Sequence, residues 1–398
     1  MKTILYIWRS MALLGGIERV LSIKINWLAS HGYKVILVTY EQGCHPIILS
    51  LHPNVTIINI NTPIYSLSKY PLFLRYFKYI RMKATFQSRL KDVVEEFHPD
   101  IVLTIAGCMN VIKEIYKSCK HAKIIMESHE TYHSVTKEYM YRENPVLRIA
   151  AKLYDNQNIN ILNSLNRIVT LTQGDADEWR KHISTPIEII TNPLTHYPVS
   201  ITNSKRQYCR IIAAGRIEDV KGFDKLIKAF AIIADKCPQW RVDIFGKGSK
   251  ESCLQSLIAQ YRLENRIAIL PPTKDIYIEY QKSDFYVLSS QHEGLGMVLL
   301  EAMSCGIPCL SFDCDYGPRE IIKNGVTGLL VENGNNVKLA EGILWMINHP
   351  YERIQMGEKA RESVNEIEKS LREERDAMEK KARNKSVLCW AVACEVHC

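Results

Sequence analysis

The sequence predicts an α/β protein made of two doubly wound parallel-sheet domains that face each other across a cleft. Three observations carry this. The chain has 398 residues, more than one ordinary core holds and enough for two at roughly 100–200 residues per domain. Short apolar, β-branched runs alternate with amphipathic stretches, the mark of βαβ units and parallel sheets. The alternation breaks once, over 195–207, where the chain turns polar and aperiodic and carries Pro198, as an interdomain linker does.

The first series opens with a strand over Thr3 to Trp8, a helix over Ile17 to Ser30 that Gly32 terminates, and a strand over Val35 to Tyr40. Strands at Val55 to Ile60, Ile101 to Ile105, Ile124 to Glu127, Ile168 to Thr172 and Ile187 to Thr191 complete a domain over 1–194. Beyond the linker, strands at Arg210 to Ala214, Val242 to Phe245, Ile267 to Leu270, Phe285 to Ser289, Pro308 to Phe312 and Gly328 to Val331 make a second domain over 208–350. A charged helix, Tyr351 to Lys385, and a Cys-rich tail, 387–398, end the sequence. Doubly wound sheets bind ligands outside the carboxyl ends of their strands, so a ligand in the crevice is expected to touch both halves.

Apolar residues at 46% and charged residues at 24% exclude extended disorder and fibrous architectures. The apolar run near the N-terminus is cut by Arg9 and reads as a buried strand rather than a secretory signal. No uninterrupted apolar run reaches the roughly eighteen residues of a spanning helix, so none is predicted and the expected location is cytoplasmic. The twelve cysteines are scattered without a C-x-x-C pair, and Cys253, Cys305 and Cys309 read as reduced, buried thiols. Cys389, Cys394, His397 and Cys398 fit no standard zinc spacing, and neither metal nor cofactor is expected. The formal charge of +8 comes without a nucleic-acid-binding signature, so nucleic acid is not an expected partner; an anionic nucleotide or lipid surface answers the charge as well.

The most specific stretch is Glu293-Gly294-Leu295-Gly296-Met297-Val298-Leu299-Leu300-Glu301, between a predicted strand and a helix. Such a loop presents backbone amides at the helix N-terminus, which suits phosphate, and Gly294 and Gly296 permit close approach. The two carboxylates lie up to roughly 12 Å apart at helical rise. That span fits one at a sugar and the other at a ribose, with a diphosphate between. Taken alone, the pair also reads as a loop charge and a solvated helix residue.

Gly215-Arg216-Ile217-Glu218-Asp219-Val220-Lys221-Gly222 follows the strand ending at Ala214 and precedes a helix over Phe223 to Lys236. Arginine supplies a planar fork and lysine a point charge, both suited in place of a metal ion to a diphosphate leaving group as its charge grows. Isolated, they are ordinary surface charges; placed ahead of the two-carboxylate motif on one sheet, they read as a clamp.

Gly215-Arg216, Lys221-Gly222 and then Glu293 and Glu301 stand in the signature order of retaining family-four glycosyltransferases of the two-Rossmann-domain (GT-B) type, which the chain resembles most strongly over 208–345. Phe245-Gly246-Lys247-Gly248, Leu270-Pro271-Pro272-Thr273 and Asn324-Gly325-Val326-Thr327-Gly328 support it. The resemblance implies a nucleoside diphosphate sugar donor, UDP- favoured over GDP-, held by Arg216 and Lys221 at the diphosphate and Glu301 at the ribose. It places Glu293 at a sugar hydroxyl, Gly246 on the nucleotide cleft, and Gly294, Leu295, Gly296 and Met297 at the donor. The helix and tail over 351–398 would brace the first domain, although the Cys-rich end departs from the family pattern.

The N-terminal half matches more weakly. Gly15-Gly16 lies between the first strand and first helix, where Gly16 is expected to meet the donor; tight βα turns need glycine in any case. Glu127-Ser128-His129-Glu130 closes another strand. By resemblance His129 reaches the donor sugar, with His133 as its competitor and a packed or solvated histidine as the plainer reading. The segment 69–91 carries Lys69, Arg75, Lys78, Arg81, Lys83, Arg89 and Lys91 with no acid among several aromatics. Either it lies on an anionic inner membrane surface, or Leu72, Tyr76, Tyr79 and Ile80 pack onto the sheet while the basic residues face water.

The resemblance implies glycosyl transfer, with retention, to a hydroxyl of a glycan or lipid-linked glycan in cell-surface polysaccharide synthesis. A hydrolase would not need the Arg-Lys clamp. A sugar-nucleotide epimerase of the same fold and a degenerate partner-binding subunit are the rival readings.

Overall fold

The computed structural model describes residues 2–12, 15–136, 145–192, 194, 197–198 and 208–382. Most of the expected linker, 195–207, and the whole Cys-rich stretch 387–398 lie outside the described residues. The chain divides into two compact units, one built on Met1–Thr191 and the other on Asn192–Ala377.

The first unit runs β1 (Thr3–Trp8), α1 (Gly16–Ser30), β2 (Lys34–Thr39), β3 (Thr56–Asn59), α2 (Leu72–Phe97), β4 (Ile101–Ile105), α3 (Ile112–Ser118), β5 (Lys123–Glu127), α4 (Tyr132–Val135), α5 (Pro145–Leu162), β6 (Arg167–Thr170), α6 (Gln173–Arg180) and β7 (Ile187–Ile189). Its strands pair in parallel in the order β3-β2-β1-β4-β5-β6-β7. β1, β2 and β4 are buried along almost their whole length, which is why they read as unbroken apolar runs. At the edge, β3 alternates between half-buried and exposed residues.

The second unit runs β8 (Arg210–Ala214), α7 (Phe223–Ile233), β9 (Arg241–Phe245), α8 (Glu251–Gln260), β10 (Ile267–Leu270), α9 (Ile276–Gln281), β11 (Phe285–Leu288), α10 (Met297–Ser304), β12 (Cys309–Phe312), α11 (Gly317–Ile321), β13 (Gly328–Val331), α12 (Asn336–Asn348) and α13 (Pro350–Ala382). The parallel order is β10-β9-β8-β11-β12-β13. On α7, Leu226, Ile227, Phe230 and Ile233 recur at helical spacing and are all buried, so one face seats on the sheet. The helix predicted to Lys236 ends at Ile233 and tightens into a single 3₁₀ turn, Ala234–Lys236.

In this unit the strand order reverses between β8 and β11, the place where an open α/β sheet leaves a crevice at its carboxyl ends. The amino ends of the same strands are locked by buried charges. Arg353 of α13 donates to Asp284 at 3.0 Å with both side chains almost fully buried, and Arg210 reaches Asp243 at 2.6 Å and Glu279 at 2.7 Å. The few described residues of the connecting stretch are tied to α13: the Leu194 amide donates to Glu368 at 2.9 Å, and Arg361 donates to the Pro198 carbonyl at 2.6 Å. The cysteine expectation divides. Cys305 and Cys309 are buried free thiols, whereas Cys253 is exposed on α8, a solvent-facing position its apolar neighbours disguised.

Candidate active site

Beyond the carboxyl end of β8, the chain turns through Gly215 and Arg216 into a loop seated on the turn after β9. The Ile217 amide donates to the Lys247 carbonyl at 3.0 Å, and the Lys250 amide to the Ile217 carbonyl at 3.2 Å. A Cβ on Gly246 would stand 2.0 Å from the Gly215 carbonyl oxygen, and one on Gly248 would stand 2.2 Å from that of Ile217. Only glycine permits this approach. The Glu218 carboxylate accepts from the Ser249 amide and hydroxyl, which fixes the loop while the Arg216 side chain remains exposed.

The loop ends at Lys221 and Gly222, the latter left-handed at φ 60° as the N-cap of α7. A Cβ there would lie 2.1 Å from the Ser289 carbonyl oxygen, so glycine lets the turn close onto the end of β11. The Ser289 hydroxyl donates to the Lys221 carbonyl at 3.0 Å. Lys221 is thereby delivered to Glu293: Nζ lies 2.6 Å from Oε1, with side chains 21% and 10% exposed. The Ser290 hydroxyl donates to the same oxygen at 2.6 Å. The two residues that the sequence reading sent to different parts of the donor are direct partners here.

From Glu293 the chain passes Gly294 and Leu295 to Gly296, left-handed at φ 83°, which caps α10. The Leu299 amide of that first turn already donates to the Gly296 carbonyl at 2.8 Å; helix-opening amides that lack a preceding helical carbonyl are the ordinary basis of anion affinity. Met297 opens the helix, and Leu295 is buried. Glu301 is buried too, and the Tyr280 hydroxyl donates to its Oε2 at 3.3 Å; the alternative of a solvated helix residue is corrected on this point. Burial, reinforced by the Glu301 charge, pushes the Tyr280 phenol well up, so it stays a donor.

A further segment braces the carboxylate loop. Glu293 forms a parallel bridge with Tyr316, whose backbone is left-handed at φ 74°. A Cβ on the next residue, Gly317, would meet the Leu295 carbonyl oxygen at 2.4 Å. Burial, then Glu293, pushes the neighbouring Cys314 thiol up to about 12, so it is a neutral packing group rather than a nucleophile.

The first unit places its two expected residues separately. Gly16 opens α1 behind the N-cap Gly15, and a Cβ on Gly16 would meet open space. Glu18 already occupies the first turn, accepting from the Trp8 indole at 3.2 Å. His129 lies just beyond β5 with its side chain 3% exposed and Nε2 3.0 Å from Glu127 Oε2. Among the described residues, no three His, Cys, Asp or Glu side chains converge as metal ligands.

Two family models match the chain: Glycosyltransferase Family 4 over residues 14–195 and Glycosyl transferases group 1 over 200–363. An uncharacterized glycosyltransferase of Haemophilus influenzae is 28% identical, covering 91% of this chain and 95% of its own. The amylovoran biosynthesis glycosyltransferase AmsD of Erwinia amylovora is 24% identical over 81% of this chain and 83% of its own. Among solved structures, an S. aureus TarM mutant in complex with fondaparinux, alpha-GlcNAc-glycerol and UDP superposes with a TM-score of 0.74 at 16% identity, covering 96% and 99% of the two chains. The chain belongs to the family-four glycosyltransferases of the GT-B type.

In this glycosyltransferase, sequence reasoning passed over Ser290, Tyr280, Tyr316, Gly317, Lys24 and Glu127. Ser290 had a local signal, three residues before Glu293 at a strand end. Glu127 had another, a charge closing an apolar strand. Lys24 sits mid-helix like a surface lysine, and its burial at 4% depends on a partner far along the chain.

Proposed function

We propose that this glycosyltransferase moves a hexosyl group from a nucleoside diphosphate sugar to a hydroxyl of a glycan or lipid-linked glycan, with retention and without a metal ion, in cell-surface polysaccharide synthesis. The observation that carries the reading is the junction of Lys221, Ser290 and Glu293 at the β8–β11 reversal, beside the opening turn of α10. Charge builds on the leaving diphosphate as the glycosidic bond breaks, and preorganised donors aimed at that charge lower the barrier most. Arg216, Lys221 and the backbone from Gly294 to Met297 are the donors assigned to it, with Gly246 and Gly16 as points of close approach. Glu293, anchored by Lys221 and Ser290, is assigned to a sugar hydroxyl and Glu301 to the ribose. His129 is assigned to the donor sugar. Uridine is the favoured base, with guanosine second; UDP in the TarM complex supports that order.

For the acceptor side, α2 supports contact with an anionic membrane surface. Tyr76 is 65% exposed, Phe77 70% and Ile80 49%, beside exposed Arg75 and Arg81. Tyr76 and Ile80 therefore do not pack onto the sheet; Tyr79 is half-buried against the core of the first unit. No helix among the described residues is long and apolar enough to cross a membrane.

The test is a thermal-stability screen of the full chain with UDP-, GDP- and ADP-sugars, followed by nucleotide release with and without a hydroxyl acceptor. A donor at a hundredfold excess over its Kd stabilises by about 2.7 kcal/mol. Response to no sugar nucleotide overturns the proposal, and conversion of donor without acceptor makes the chain an epimerase instead.

A further inference from the structure

The first unit holds a second cluster of charges that the donor clamp leaves unused. Lys24, on the sheet-facing side of α1, puts Nζ 3.0 Å from Oε2 of Glu127 at the end of β5, with both side chains 3% exposed. His129 brings Nε2 to 3.0 Å from that same oxygen, again 3% exposed. Removing three such groups from water is costly, and a buried ion pair is poor evidence for stability. Apolar side chains of similar size would fill the space more cheaply. Tyr6 beside them has a buried hydroxyl without a hydrogen-bond partner, so local packing does not satisfy every polar atom, yet this one carboxylate oxygen collects two donors.

The contact also decides where a hydrogen sits. Burial pushes the Glu127 carboxyl up, but the Lys24 ammonium and the His129 ring outweigh it and hold the group down to about 2. An ionised carboxylate only accepts. The hydrogen between Glu127 and His129 therefore belongs to Nε2, and in the neutral form of an imidazole so protonated Nδ1 is the acceptor nitrogen. Lys24 has a separate task. It supplies the counter-charge of the buried carboxylate, at 3.0 Å from the same oxygen.

We infer that Lys24 and Glu127 are positioning residues for His129, holding its imidazole in the Nε2–H tautomer so that Nδ1 is the nitrogen offered to a hydroxyl of the donor sugar. This rests on the assignment of His129 to the sugar made above. Neither residue touches substrate in this scheme; both act through the ring, as a carboxylate does when it fixes the tautomer of a general base or metal ligand.

The experiment uses the full chain labelled with ¹⁵N-histidine, with the His129 signals assigned by their loss in His129→Gln. The expected wild-type neutral ring is protonated at Nε2 and bare at Nδ1, and Glu127→Gln and Lys24→Met each weaken that preference. With a sugar nucleotide as donor, Glu127→Gln lowers kcat on the order of 10²-fold, the scale of a misplaced reacting group, while KM barely moves. Added to His129→Ala, the same substitution lowers kcat no further. An Nδ1–H tautomer in the wild type overturns the inference, as does an equal fall in kcat in both backgrounds. If Glu127→Gln does not fold, the wild-type spectrum still decides. A wild-type protein that turns over no sugar nucleotide overturns the functional reading instead, and the tautomer remains readable by itself.

Discussion

Lys221 Nζ lies 2.6 Å from Glu293 Oε1, and the Ser290 hydroxyl donates to that oxygen at the same distance. On the proposed reading, a phosphate oxygen approaching Lys221 would share an ammonium that already orients a carboxylate, which would couple diphosphate binding to the aim of Glu293. Glu293→Gln and Lys221→Ala are each expected to cut kcat by roughly 10²–10³-fold, the range for loss of one preorganised electrostatic group. Their combination should fall short of the product of the two losses, because residues in direct contact couple. Steady-state kinetics on both single variants and the double variant reads this; unchanged turnover in Glu293→Gln removes it from the reaction centre.

Gly222→Ala tests how Lys221 is delivered. The new Cβ would lie 2.1 Å from a backbone carbonyl at a residue with φ 60°, so the turn must shift and the left-handed conformation adds about 1–2 kcal/mol of its own. Urea unfolding should show a loss of at least that size, with kcat/KM falling alongside. Gly16→Ala is the contrast. Its Cβ meets open space at the start of a helix, so stability should hold or rise by up to ~1 kcal/mol. A drop in donor affinity there would then report contact with the ligand.

The sheets were legible because fully buried parallel strands are unbroken apolar runs, and β1, β4, β8, β10 and β13 begin and end where the residues alone put them. Arg216, Lys221, Glu293 and Glu301 were visible as charges interrupting strand ends and a helix start. Their pairings were not. Lys221 and Glu293 are separated by 72 positions, and their meeting depends on the missing Cβ of Gly222, which propensity and period do not encode. The same limit hid Lys24, whose partner Glu127 is 103 positions away, and it made Cys253 look buried when its helix turns it outward.

The exposed face of α2 gives a third test. Tyr76→Ser with Phe77→Ser removes two aromatics that are 65% and 70% exposed, so unfolding free energy should change by no more than ~0.5 kcal/mol each. Sedimentation with vesicles containing phosphatidylserine should nonetheless drop several-fold. Arg75→Gln with Arg81→Gln should weaken binding as well, by about 1 kcal/mol per charge, and should flatten its salt dependence. Equal sedimentation of wild type and both variants would falsify the membrane assignment.

Glu127 predicts how the first unit responds to acid. Its folded carboxyl is held at about 2 against an ordinary value of 4.5, so the unfolded state binds the proton more tightly. The stabilisation this provides is complete above pH 4.5 and is lost as pH falls toward 2, up to roughly 3 kcal/mol at 1.36 kcal/mol per pH unit. Other carboxylates titrate in the same window, so the quantity to measure is the difference between wild type and Glu127→Gln. Urea midpoints taken from pH 6 to pH 2.5 should converge as the wild type loses its advantage, because protonation leaves Lys24 beside a neutral acid much as the amide does. Curves that remain parallel would mean that the Lys24–Glu127 pair carries no net stability, leaving orientation of His129 as the reason for two charges at that depth.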